Sequence, residues 1–187
     1  MKKFYIIHGW GGSSEDPLLN WLKEELEKRN FEVKSFDMPN TNEPKIEDWT
    51  GYLRSNIDID KIDEDTSFIG HSIGCQTIMR FLEKLPKHKK ILKCVFIAPW
   101  LDLINLEPEE NKIAHPWINS KINFERIFEH CKNFICIFSN DDPYVHIEES
   151  KKFKENLNAK IIILKNKGHF TKEDNVKELP EILNFLK

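Results

Sequence analysis

Ser72 lies in Gly70-His71-Ser72-Ile73-Gly74, where an apolar run, Thr66-Ser67-Phe68-Ile69, gives way to a helical pattern. A hydroxyl held at the tip of a sharp strand-to-helix turn can attack a carbonyl carbon, provided that small residues stand two positions before and after it. Gly70 and Gly74 are those residues. The helix expected to follow would aim its backbone N–H groups and positive end at an oxyanion forming beside Ser72. A serine nucleophile also needs a base to take its proton and an acid to orient that base. Both residue types follow at strand ends: Asp141-Asp142-Pro143 after one apolar run and Gly168-His169 after the last. The order Ser, Asp, His along the chain suits nucleophilic acyl transfer.

Of the seven histidines, His169 alone directly follows the last strand pattern, and Gly168 lets the loop turn back toward the strand ends. His88, His115, His130 and His146 read as solvated or structurally satisfied side chains. The acid is Asp141 or Asp142, and an Asp before Pro is also common turn chemistry. Spacing favours Asp142, which is followed by a turn and a β-branched residue in Asp142-Pro143-Tyr144-Val145. Asp141 then shapes the turn. For the oxyanion, the residue after the nucleophile offers the Ile73 N–H. The loop His8-Gly9-Trp10-Gly11-Gly12 offers a second through Trp10. A phosphate-cradling reading of that loop fails, because there is no G-x-G-x-x-G in phase and no P-loop Lys-Ser/Thr.

Strand and helix patterns alternate throughout. Apolar runs are expected as strands at 3–8, 31–37, 66–70, 91–98, 134–138 and 160–164. Leu18, Leu19, Leu22 and Leu26 recur at helical spacing in 17–30, and further helices are expected at 46–57, 73–85, 148–157 and 176–186. The continuous apolar runs at 91–98, 134–138 and 160–164 read as strands buried on both faces. Six strands with intervening helices specify an α/β fold, a doubly wound six-stranded parallel sheet with helices on both faces. Residues 99–131, rich in Pro, Trp and Asn, are longer than a simple crossover and read as a lid-like segment over the strand ends. Trp100 and Trp117 are its candidate substrate-pocket residues, although Trp is as often core.

The chain has 187 residues, about one domain. With 32% charged residues and a net charge of −3, it gives no electrostatic reason to expect nucleic acid. No apolar run approaches the ~18 residues of a membrane span, and the short apolar stretch after Met1-Lys2-Lys3 does not read as a signal segment. A cytoplasmic protein is expected. The four cysteines, Cys75, Cys94, Cys131 and Cys136, show no zinc spacing, and Cys94 and Cys136, inside strand patterns, read as reduced core residues. The chemistry calls for neither cofactor nor metal.

With these residues identified, the chain resembles small α/β-hydrolases of the family that includes retinoblastoma-binding protein nine and the YdeN-like serine hydrolases. The likeness spans nearly the whole length. It rests on the loop 8–12, Trp21-Leu22, Asp37-Met38-Pro39, Gly70-His71-Ser72, Asp141-Asp142-Pro143 and Gly168-His169-Phe170. It implies a minimal hydrolase sheet without the first antiparallel strands of larger members, and a triad of Ser72, Asp142 and His169. The family's reported pocket-protein partner is engaged through Leu-x-Cys-x-Glu, which this chain lacks; Leu92-Lys93-Cys94-Val95-Phe96 ends in Phe. That partnership is not expected here. The reading is a serine hydrolase of small esters, with amides or thioesters as variants. The alternative is a non-catalytic ligand- or protein-binding member of the same fold.

Overall fold

The computed structural model describes residues 1–186. Its elements are β1 (Lys3–Ile7), α1 (Pro17–Glu27), β2 (Glu32–Phe36), α2 (Ile46–Asn56), β3 (Thr66–His71) and α3 (Ile73–Leu82). There follow β4 (Lys93–Ile97), α4 (Pro108–Asn119), α5 (Phe124–His130), β5 (Phe134–Ser139), α6 (Glu149–Leu157) and β6 (Lys160–Leu164). The six strands form one parallel sheet in the order β2-β1-β3-β4-β5-β6.

The alternation of side chains along each strand assigns the helices to faces. Phe96 on β4 meets Phe153 of α6, and Phe68 on β3 meets Phe81 of α3. On that face α2, α3, α5 and α6 pack in sequence against one another. Lys93, one residue out of phase, donates its Nζ–H to the Phe185 carbonyl, which puts the C-terminal segment on the opposite face. Right-handed crossovers place α1 there too, since β1 to β2 runs opposite to every later step. The strand order therefore reverses between β1 and β3. A crevice opens at their carboxyl ends, the place where such sheets bind ligands.

Two expectations are corrected. β6 is an edge strand, not one buried on both faces: Lys160 is exposed and Ile163 is 52% exposed. An apolar run signals sheet contact on its faces, but it carries no information on whether another strand lies beyond. The expected helix 176–186 is a 3-10 helix at Pro180–Phe185 only. Pro180 has no N–H and drives the preceding residue out of the helical region, and Leu179 sits at φ −145, ψ 69. Residues 99–131 contain α4 and α5. α4 begins with a reciprocal Glu107/Glu110 capping box.

The core holds the large side chains Trp49, Phe68, Phe96, Trp117 and Phe153, each almost fully buried. All four cysteines are free and buried. Among the described residues no helix is long and apolar enough to cross a membrane.

Candidate active site

Ser72 sits between β3 and α3 at φ 51, ψ −120, a backbone conformation that costs a residue with a Cβ about 1–3 kcal/mol. The turn is this tight because its neighbours leave no room. A Cβ on Gly74 would stand 2.5 Å from the Ile7 carbonyl oxygen, and one on Gly70 2.8 Å from the Cys75 nitrogen. The turn is tied to the next strand by the Ser72 N–H, which donates to Ile97 O at 2.9 Å.

Three side chains from distant loops meet there. His169 Nδ1 lies 2.8 Å from Asp142 Oδ2, and His169 Nε2 lies 2.9 Å from Ser72 Oγ. A carboxylate only accepts, so Nδ1 carries the ring proton and Nε2 is free to accept from the serine hydroxyl. The Asp142 side chain is 2% exposed, and its other oxygen accepts the Tyr144 and Val145 N–H groups at 2.9 and 3.0 Å. The local turn thus aims one oxygen at the imidazole by occupying the other.

Asp141, the other sequence candidate, points to a different task. Its Oδ1 accepts the Ser139 hydroxyl at 2.6 Å and the Lys167 and Gly168 N–H groups at 3.1 and 3.0 Å. The Ser139 hydroxyl first, then those amides, hold this carboxyl below the usual range. Asp141 therefore clamps the end of β5 to the loop that carries His169.

Sequence reading gave no role to Asp174 or His71. Asp174 Oδ2 accepts the His169 N–H at 2.9 Å and the Thr171 hydroxyl at 2.7 Å. Its signal was present as Thr171-Lys172-Glu173-Asp174, a Ser/Thr-x-x-Asp/Glu spacing that ties a turn locally. Gly168 at φ 51 is required beside it, since a Cβ would fall 2.1 Å from Asp174 Oδ1. His71 Nε2 lies 2.8 Å from the His169 carbonyl oxygen, so Nε2 carries its proton. Burial, with the neighbouring His169, pushes His71 down to about 4, and it stays neutral near pH 7.

The two candidate oxyanion donors flank Ser72 from its own turn and from the β1 loop. Ile73 is the first residue of α3, where an N–H has no intrahelical acceptor. The β1 loop is braced by Gly11 N–H to Thr41 O at 2.9 Å and Gly12 N–H to Gly9 O at 3.2 Å. Among the described residues, neither the Trp10 nor the Ile73 amide is taken by another group in this network.

The two tryptophans expected in the pocket separate. Trp117 is buried in the core, donating its indole N–H to Pro44 O at 2.9 Å and packing edge-on against Trp49. It does not line the cavity at Ser72. Trp100 is also fully buried, and its indole N–H donates to Ser72 Oγ at 3.2 Å. The cavity beside Ser72, about 240 Å³, is walled instead by Leu103, Leu106 and Tyr144, with Trp10, Thr171 and Glu110 around it. Only the first part of the 99–131 segment thus faces the site, and Arg80 bolts the later part down by donating to Trp117 O and Ser120 O at 2.8 and 3.0 Å. A second cavity of about 160 Å³ adjoins it, sharing Trp10, His71 and Thr171.

Comparison with known proteins agrees with this architecture. A family model described as serine hydrolase matches residues 4–187. The chain is 27% identical over 185 residues to the YdeN protein of Bacillus subtilis strain 168, covering 99% of this chain and 94% of that one. To the serine hydrolase RBBP9 of Rattus norvegicus it is 26% identical over 164 residues, covering 87% and 78% respectively. The crystal structure of the B. subtilis ydeN gene product superposes with a TM-score of 0.89 at 26% identity, over 100% of this chain and 97% of that chain. Est1E from Butyrivibrio proteoclasticus, solved with ferulic acid bound, gives 0.73 at 15% identity, over 100% and 88%, a likeness of fold alone.

Proposed function

Since the chain belongs to the serine hydrolase family, we propose that it cleaves small carboxylic esters through an acyl-enzyme, with Ser72 as nucleophile, His169 as general base and Asp142 as its orienting acid. The observation that carries the reading is the unbroken relay from Asp142 through His169 to Ser72, at 2.8 and 2.9 Å, in the one tautomer that leaves Nε2 ready for a proton.

In the first half-reaction the Ser72 hydroxyl proton passes to His169 Nε2 as Oγ bonds to the ester carbonyl carbon. The carbonyl π electrons move onto oxygen, where the Ile73 and Trp10 N–H groups are the donors. Asp142 stabilises the imidazolium without taking its proton. Collapse of the tetrahedral species breaks the bond to the alcohol, which leaves with the proton from His169. Water, deprotonated by the same nitrogen, then attacks the acyl carbon; the second tetrahedral species breaks its bond to Oγ, which takes the proton back from His169 as the carboxylic acid leaves.

The cavity of about 240 Å³ walled by Leu103, Leu106 and Tyr144 suits a short acyl chain and favours compact esters over long lipids. Amides and thioesters would pass through the same intermediate. A fluorophosphonate probe tests the reading. Wild-type protein should be labelled and Ser72→Ala should not, while a folded wild type that resists labelling would favour a binding protein on this fold.

A further inference from the structure

Among the described residues, four tryptophans donate an indole N–H within the protein, and three of them donate to a backbone carbonyl: Trp10 to Asn42, Trp49 to Pro39 and Trp117 to Pro44. Trp100 differs. Its acceptor is Oγ of Ser72, at 3.2 Å. A buried indole N–H needs an acceptor, and here that acceptor is the proposed nucleophile rather than a carbonyl.

The contact is held from several sides. The Trp100 ring is fully buried, and its carbonyl accepts the Gln76 Nε2–H at 3.0 Å, one turn beyond Ser72 on α3. The next two N–H groups, of Leu101 and Asp102, donate to Glu149 Oε2 at 2.7 and 3.3 Å. Ser72 is itself tied to β4 through Ile97 O. The indole is therefore fixed relative to the hydroxyl before any substrate arrives.

An indole N–H only donates, so the direction of the bond is certain. The Ser72 hydroxyl has one proton and two lone pairs. The proton faces His169 Nε2 at 2.9 Å, and Trp100 occupies one lone pair. One lone pair remains for bond formation. From this geometry we infer that Trp100 is a further catalytic residue, which selects the attacking lone pair of Ser72 and stabilises the charge that gathers on Oγ as its proton leaves.

The second effect follows from when charge appears. In the resting enzyme Oγ is a neutral hydroxyl and the indole bond is weak. As the proton moves to His169 Nε2, before the bond to the carbonyl carbon is complete, Oγ gains alkoxide character and the same bond strengthens. Only that difference between ground and transition state accelerates acylation. This inference rests on the triad proposed above.

Benzothienylalanine at position 100, which keeps the fused ring and replaces the N–H by sulfur, removes the donor with little change of shape. Acylation, read as the pre-steady-state burst with nitrophenyl acetate and as the phosphonate labelling rate, should slow about tenfold, with the substrate dissociation constant taken from the concentration dependence of the burst rate nearly unchanged and the melting temperature preserved. A variant that acylates at the wild-type rate would overturn the inference. If the substituted protein does not fold, the native indole decides: the Trp100 N–H resonance, assigned with Trp100→Phe, should shift both on phosphonylation of Ser72 and in Ser72→Ala. A resonance unmoved in Ser72→Ala refutes the hydrogen bond. Turnover retained by Ser72→Ala would instead refute the triad, and with it the catalytic role of Trp100, even if the resonance moved.

Discussion

The carboxylate of Asp141 accepts the N–H of Gly168 at 3.0 Å, so the loop that presents the His169 ring hangs on the residue just before the acid that orients it. Adjacent carboxylates thereby do separate work: Asp142 meets the ring and Asp141 meets the backbone that carries it. Asp142→Asn should lower kcat by up to about 10⁴-fold, the scale set by the serine protease triad, with a nearly unchanged melt. Asp141→Asn keeps one acceptor oxygen and should lower the melting temperature with less than about tenfold loss in kcat. Kinetics on one ester with parallel melts checks both, and a larger rate loss in the Asp141 variant would exchange their roles.

The strained backbone of Ser72 yields a stability prediction separate from chemistry. Ser72→Ala and Ser72→Gly should both be inactive, yet the glycine variant should be more stable by about 1 kcal/mol, because φ 51, ψ −120 costs glycine little. Urea titration of the two inactive proteins measures the difference. Equal stabilities would mean that the elbow stores no strain.

Gly168→Ala should be damaging out of proportion to its one added methyl. The position has φ 51 and a Cβ would meet Asp174 Oδ1 at 2.1 Å, so Asp174 must release the His169 N–H. We expect a loss of about 2 kcal/mol or more together with a fall in kcat. An active protein of wild-type stability would show that Asp174 does not position the loop.

His71 should make the protein acid-sensitive. Its imidazole titrates near 4 in the folded chain against an ordinary 6.5 when unfolded. Above pH 6.5 both states hold it neutral and it contributes no pH dependence. As the pH falls below 6.5 the unfolded chain takes up the proton first, so stability declines until the folded state protonates too, near pH 4, by about 3 kcal/mol in all. His8, also lowered by burial, acts in the same direction. His71→Gln should lose less stability than wild type between pH 7 and pH 4. Parallel denaturation curves for the two would count against this source if they persisted across that range.

The cavity beside Ser72 predicts selectivity by acyl length. Across nitrophenyl esters from acetyl to octanoyl, kcat/KM should be highest for the short chains, and Leu103→Ala should shift the preference toward longer ones by enlarging the wall. A preference for octanoyl in the wild type would place the acyl group elsewhere.

The sequence by itself determined the strand-helix alternation and the positions at which chemistry was to be sought. Both depend on local physics: Gly70 and Gly74 mark a turn too tight for side chains, and Asp142 and His169 stand just past apolar runs that end. Only the tertiary structure decided what lies beside what. Trp100 and Trp117 read alike as candidate pocket residues, yet one indole faces Ser72 Oγ and the other faces Pro44. A residue's type sets only its tendency to be buried, whereas its hydrogen-bond partner is set by elements distant in the chain. The same reason hid the edge position of β6, since an apolar run is silent about whether another strand lies beyond it. His71 and Asp174 act through the backbone of His169, and their role exists only where the chain returns to bring those loops together.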